Sequence, residues 1–96
     1  MAKKTNGTFT ANAQSSAVVL GKEAEVIMTG SFVATVVPQV QDANGNWAPF
    51  GGESYTAETA RKLEMALIRP WRLTVTSYTS GSIVYELGGE EFPNQV

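Results

Sequence analysis

The sequence predicts an all-β protein, an antiparallel β-sandwich or jelly roll of seven to eight short strands. Three observations carry that prediction. Apolar and polar residues alternate with a period of two over most of the 96 residues, the signature of half-buried strands. Gly, Asn and Ser cluster as turn signals at roughly ten-residue spacing, as in sandwiches and barrels. Charged residues make up only 17% of the chain, below the ~25% of ordinary soluble domains, and Thr, Ser, Asn and Gln take their place.

The first 15 residues are small and polar and carry one large apolar side chain, Phe9; they are expected to form a flexible N-terminal arm. Ser16 to Gly21, "SAVVLG", reads as a short strand ended by a Gly21-Lys22 turn. In "EAEVIMTG" (Glu23 to Gly30), Ala24, Val26 and Met28 share one face, with Glu23, Glu25 and Ile27 on the other. A Gly30-Ser31 turn signal precedes the long strand "FVATVVPQVQ" (Phe32 to Gln41), in which Phe32, Ala34, Val36 and Val40 share a face. Pro38 has no N–H for a ladder, so this strand is expected at an edge, or bulged at that point.

"DANGN" (Asp42 to Asn46) is the strongest turn signal, since Asn-Gly supplies the backbone freedom of a tight hairpin. "WAPF" resumes as a short strand ended by Gly51-Gly52, and "ESYTA" offers another. Residues 58–69 read both ways. Ala, Leu, Lys, Glu and Arg favour a single helix stopped by Pro70. Alternation of Leu63, Met65 and Leu67 with Lys62, Glu64 and Ala66 favours a strand, the preferred reading.

"RLTVTSYTSGSIVYEL" (residues 72–87) reads as a hairpin turning at Ser80-Gly81. Trp71, Leu73, Val75, Ile83, Tyr85 and Leu87 point inward; Arg72, Thr74, Thr76 and Tyr78 point out. The sandwich domain is thus expected over 16–88, with an acidic C-terminal tail over 89–96 that carries Phe92.

Composition narrows the function. Without Cys or His the chain offers no thiolate, no usual zinc ligand set and no Ser-His-Asp arrangement. The nine acidic residues fall mostly on outward positions or in tails, and no nucleophile–base pair can be drawn, so no enzyme and no cofactor are expected. Asp42-x-Asn44-x-Asn46 has the oxygen spacing of a calcium loop but lacks its glycine at the sixth position, so it reads as a turn. Net charge is −2 with no basic cluster beyond Lys3 and Lys4, which argues against nucleic acid. Apolar runs are too short for a spanning helix, and the N-terminus has no apolar run of a secretory signal. Trp47, Tyr55 and Tyr78 are candidate contact aromatics for a partner or glycan, joined by Phe9 and Phe92 on the arms.

Residues 30–88 resemble small β-sandwich virion proteins of tailed bacteriophages. "GSFVATVVPQVQDANGNWAPF" runs a strand into an Asp/Asn-Gly turn and then a Trp, and "WRLTVTSYTSGSIVYELG" fits the pattern R-L-x-V-T-x-Y-T-S-G-S. In such proteins the segment matching Arg61 to Leu67 looks like a strand. The resemblance implies a structural role: a capsid decoration (cement) protein made in the host cytoplasm. It would sit on the outer head surface and contact the major capsid protein and copies of itself. A tail, neck or head-fibre component is the alternative.

Overall fold

The structure is a computed structural model that describes residues 2–90. Its eight strands are β1 (Ala2–Phe9), β2 (Val18–Leu20), β3 (Glu23–Thr29), β4 (Phe32–Gln41), β5 (Trp47–Pro49), β6 (Thr59–Glu64), β7 (Arg69–Gly81) and β8 (Ile83–Glu90). They form two four-stranded antiparallel sheets, in the orders β1-β8-β3-β6 and β2-β7-β4-β5. The fold is the small β-sandwich expected.

Alternation places the core as anticipated. Ala24, Val26 and Met28 of β3, Ala34, Val36 and Val40 of β4, Trp71, Leu73 and Val75 of β7 and Ile83, Tyr85 and Leu87 of β8 are all buried. Fully covering side chains of this size contributes about 1.5–3 kcal/mol each, so these faces set the register of both sheets.

The ends of the long strands differ from expectation. Ser80-Gly81 does not close a hairpin. β7 and β8 lie in different sheets, and the chain crosses between them at Gly81. Gly30 does the same between β3 and β4. Both glycines have positive φ (110° at Gly30, 97° at Gly81), and the two corners are tied together by the Ser82 N–H donating to the Ser31 carbonyl at 3.1 Å. They pack so tightly that a Cβ on Gly81 would lie 2.3 Å from the Ser31 carbonyl oxygen. β3–β4 and β7–β8 are thus two long bent strands that run side by side through both sheets, and the corner is the strand-switching kind found where sheets pack across one another. Register shifts at Val33/Ala34 and Thr35/Val36, just past the corner, absorb the bend.

Pro38 is neither at an edge strand nor at a bulge. β4 pairs with β7 along its length and with β5 over Gln39 to Gln41. The Pro38 carbonyl accepts from Phe50 N–H at 2.8 Å, on the side where β5 ends. Backbone N–H and C=O of one strand residue point the same way, so the missing donor faces Phe50 at the end of β5, whose carbonyl accepts instead from Glu53 N–H at 3.2 Å.

Residues 2–15 are not a free arm. β1 pairs with β8 over its whole length, from Ala2↔Glu90 to Phe9↔Ile83, and residues 13–15 bond to β7 through Ser15 N–H to Leu73 C=O and Val75 N–H to Ala13 C=O. Phe9 is 3% exposed and stacks on Tyr85 with ring centroids 4.2 Å apart. That ring contact anchors a polar strand that composition alone read as loose. Residues 58–69 hold β6 rather than a helix, because β3 offers them a ladder partner and alternation turns Leu63 into the core with Met65 packed against it. Gly89 and Glu90 of the expected tail belong to β8; the rest of that tail lies outside the described residues.

Candidate functional site

The candidate aromatics do not assemble into one platform. Phe9 and Tyr55 are buried, so neither presents its ring to a partner. Tyr55 pairs through its backbone with Val36, and its hydroxyl donates to Glu53 Oε1 at 3.0 Å. Burial and that anionic neighbour hold the phenol far above its ordinary value. Tyr78 is half-buried against the core, across from buried Ala34, and its hydroxyl donates to the Gly81 carbonyl at 2.7 Å. It supports the corner, and its expected outward position is corrected accordingly. Phe92 lies outside the described residues.

Trp47 is partly exposed on β5, and among the four described candidates it is the one whose ring is not packed against the core. It is opposite Gln41, on the outer face of its sheet. What the sequence reading missed is its neighbour. The guanidinium of Arg72 lies 4.3 Å from the Trp47 ring centroid, and Arg72 Nε donates to Gln39 Oε1 at 2.7 Å. Thr74 Oγ1 donates to the same oxygen at 2.8 Å. Thr74, expected outside, is 8% exposed, because Gln39 caps its hydroxyl and Gln14 bridges to it from the far edge. The signal for this cluster was register: β4 places Gln39 opposite Arg72. The result is a pre-ordered outer patch, a cation stacked on an aromatic beside amide and hydroxyl groups. Such a patch suits contact with a polar surface.

Six of the carboxylates are held in turns, caps or ion pairs. Asp42 Oδ1 accepts the backbone N–H groups of Asn44 (2.8 Å) and Asn46 (2.9 Å), which lowers its pKa and closes the hairpin, with Gly45 at φ 88°. The oxygen spacing of residues 42–46 therefore serves the turn. Glu53 accepts from Arg61 Nε at 3.0 Å and Nη2 at 2.6 Å, and this two-pronged pair holds its carboxyl below the usual range. Arg61 stands on the core-side face of β6, so the pair ties the edge of one sheet to the loop beside the other. Glu58 Oε2 caps the Gly30 N–H at 3.0 Å. On the outer face of the other sheet, Lys62 lies 3.9 Å from both Glu23 and Glu64, and Lys4 lies 3.6 Å from Glu86. Among the described residues no group of three or more metal-ligating side chains comes together, and no helix is long and apolar enough to cross a membrane.

An open depression of about 300 Å³ lies along β4 near the corner, lined by residues that include Phe32, Val33, Thr35 and Thr56. No ionisable side chain lines it, so it offers shape and hydroxyls but no acid–base chemistry.

No family model and no curated protein matches the chain. The fold is matched by the crystal structure of the SPBc2 prophage-derived protein YomS, with a TM-score of 0.67 and 20% sequence identity. The match covers 92% of this chain and 94% of that one. The two therefore share one fold over that span.

Proposed function

We propose that this chain is a non-catalytic virion structural protein of a tailed bacteriophage. In this reading it is a capsid decoration protein that binds the outer head surface and stabilises contacts between capsid subunits. The observation that carries the reading is the fold match to a prophage-derived protein, which agrees with the virion-protein resemblance of residues 30–88. The surface supports it. Carboxylates are spent on turns, caps and ion pairs, while the Trp47–Arg72–Gln39 patch is ordered before any partner arrives. A small pre-ordered patch suits a protein repeated over a lattice, where many weak contacts add through avidity.

The test is to add purified protein to heads that lack it, image them by cryo-electron microscopy and follow their thermal stability. Regular density over the lattice and a raised melting temperature are expected, since a protein that binds only the assembled state stabilises it by mass action. Heads that stay bare and melt unchanged overturn the reading. Because β1 pairs with β8 in the sandwich, deleting residues 1–15 would perturb the fold as well as any contact; Arg72→Ala and Trp47→Ala are the variants to test for loss of binding. The half-exposed Trp47 also favours a second reading, a tail, neck or head-fibre component whose sandwich meets a fibre protein or a glycan. Density at the tail alone would support that one.

A further inference from the structure

We propose that β6 is the edge through which two copies of this chain associate, adding strand to strand across a two-fold axis. Among the described residues, β6 ends its sheet and pairs only with β3. Its ladder is regular from Glu23↔Glu64 to Met28↔Thr59, and Met65 N–H donates to the Lys22 carbonyl at 2.7 Å. In an antiparallel ladder hydrogen-bonded and non-bonded pairs alternate. Met65, Leu63, Arg61 and Thr59 therefore turn their backbone groups toward β3, and Ala60, Lys62 and Glu64 turn theirs to the open edge.

Charge selects the register. A lysine on an exposed edge normally blocks pairing, and it does so here where Lys62 would meet the second copy's Lys62. Shifted so that Leu63 sits on the axis, each Lys62 faces the second copy's Glu64, and each such pair exchanges both of its free N–H···O bonds. The side chains of Lys62 and Glu64 share the outer face and are exposed, so the opposite charges meet in the same plane. Leu67 (57% exposed) and Ile68 (41% exposed) follow β6 at the bend that leads to β7 and add apolar surface at that end of the edge. The other edges lack this self-complementarity. β1, AKKTNGTF, has two lysines and no carboxylate, and β2 and β5 are three residues each.

One strand edge with its flanks lies at or below the ~1,200 Å² of weak, transient interfaces, so the association is weak and is measured by sedimentation up to about 1 mM, a range set by that small interface. The expected result is a concentration-dependent dimer of the wild-type chain. Glu64→Lys keeps a favourable pairing with Glu23 inside the chain but sets Lys against Lys across the axis. It is expected to weaken the dimer about tenfold or more. Lys62→Glu sets Glu against Glu64 across the axis, and inside the chain it also faces Glu25 and loses the contacts to Glu23 and Glu64, so its fold and stability are measured alongside. An equimolar mixture of the two variants associates, and the double exchange K62E/E64K dimerises on its own, with circular dichroism confirming the fold of each. A wild-type chain monomeric at about 1 mM overturns the proposal, as does a dimer indifferent to both single reversals. The experiment uses the isolated protein, so its outcome is independent of head binding.

Discussion

Replacing Phe9 by Ala asks whether the first residues belong to the fold. The ring is 3% exposed and stacks on Tyr85 at 4.2 Å with planes 16° apart. Tyr85 also fills the space over Gly7, where an added Cβ would touch its hydroxyl at 3.0 Å. Truncating a buried Phe costs about 3–5 kcal/mol, part transfer and part cavity. Phe9 ends its strand, so β1 can peel away to limit the strain, and the lower figure of about 3 kcal/mol applies. A domain of this size has about 5–15 kcal/mol in all, so the variant still folds. Each kcal/mol lowers Tm by about 4–8 °C at this length, which predicts a fall of about 12–24 °C. Thermal melts and urea unfolding measure it, with Thr8→Ala, an exposed neighbour on β1, as the control that stays within about 0.5 kcal/mol. If Phe9→Ala also stays within about 0.5 kcal/mol, the ring is not in the core and residues 1–15 are a free arm after all.

Other substitutions probe the corner, the sheet-to-sheet tie and the outer patch. Gly81→Ala meets immovable backbone at a positive φ and is expected to cost about 2–5 kcal/mol by urea unfolding, whereas Gly51→Ala, into open space, changes stability by less than about 1 kcal/mol. Arg61→Ala should lower Tm at neutral pH. Because Arg61 depresses the Glu53 pKa, the pair's contribution is full above the ordinary glutamate value of 4.5 and is lost as pH falls through the lowered native value. The Tm gap between wild type and variant therefore closes on acidification; a gap constant down to pH ~2 would refute the assignment. Thr74→Val removes one of the two bonds to Gln39 Oε1 and should cost about 1 kcal/mol. A Thr74→Val protein as stable as wild type would show that the hydroxyl is not held there.

The faces of the strands were legible because one face of each is buried and alternation with period two has no other economical reading. The Asp42 hairpin was legible because its chemistry is local: Asp42, Gly45 and Asn46 satisfy one another within five residues. Phe9 was misread for the opposite reason. Its value lies in Tyr85, seventy-six positions away, and a polar octapeptide carries no sign that such a partner exists. Likewise the Trp47–Arg72 contact depends on the register of β4, with β5 on one side and β7 on the other, which no window of sequence contains. Tyr55 and Tyr78 looked like surface aromatics, yet Tyr55 buries its ring, Tyr78 packs its half-buried ring against the core, and both satisfy their hydroxyls, on Glu53 and on Gly81.

The Ser-Gly signals at the corner explain the one topological error. A glycine at positive φ reports that the chain turns sharply; it does not report where the next strand pairs. A hairpin needs the two flanking strands to face each other, whereas here each finds a better partner in the other bent strand: β7 lies along β4, and β8 along β3. The two corners then brace one another, with Gly30 pressed against the Ser82 carbonyl and Gly81 against that of Ser31. One pair of bent strands thereby supplies the centre of both sheets, and the strands left to form the margins, β1, β2, β5 and β6, are the ones with open edges. Open edges are thus a consequence of the corner, because the two bent strands fill the centre of both sheets and leave each sheet to end in strands paired on one side only; the proposed pairing through β6 uses one of them.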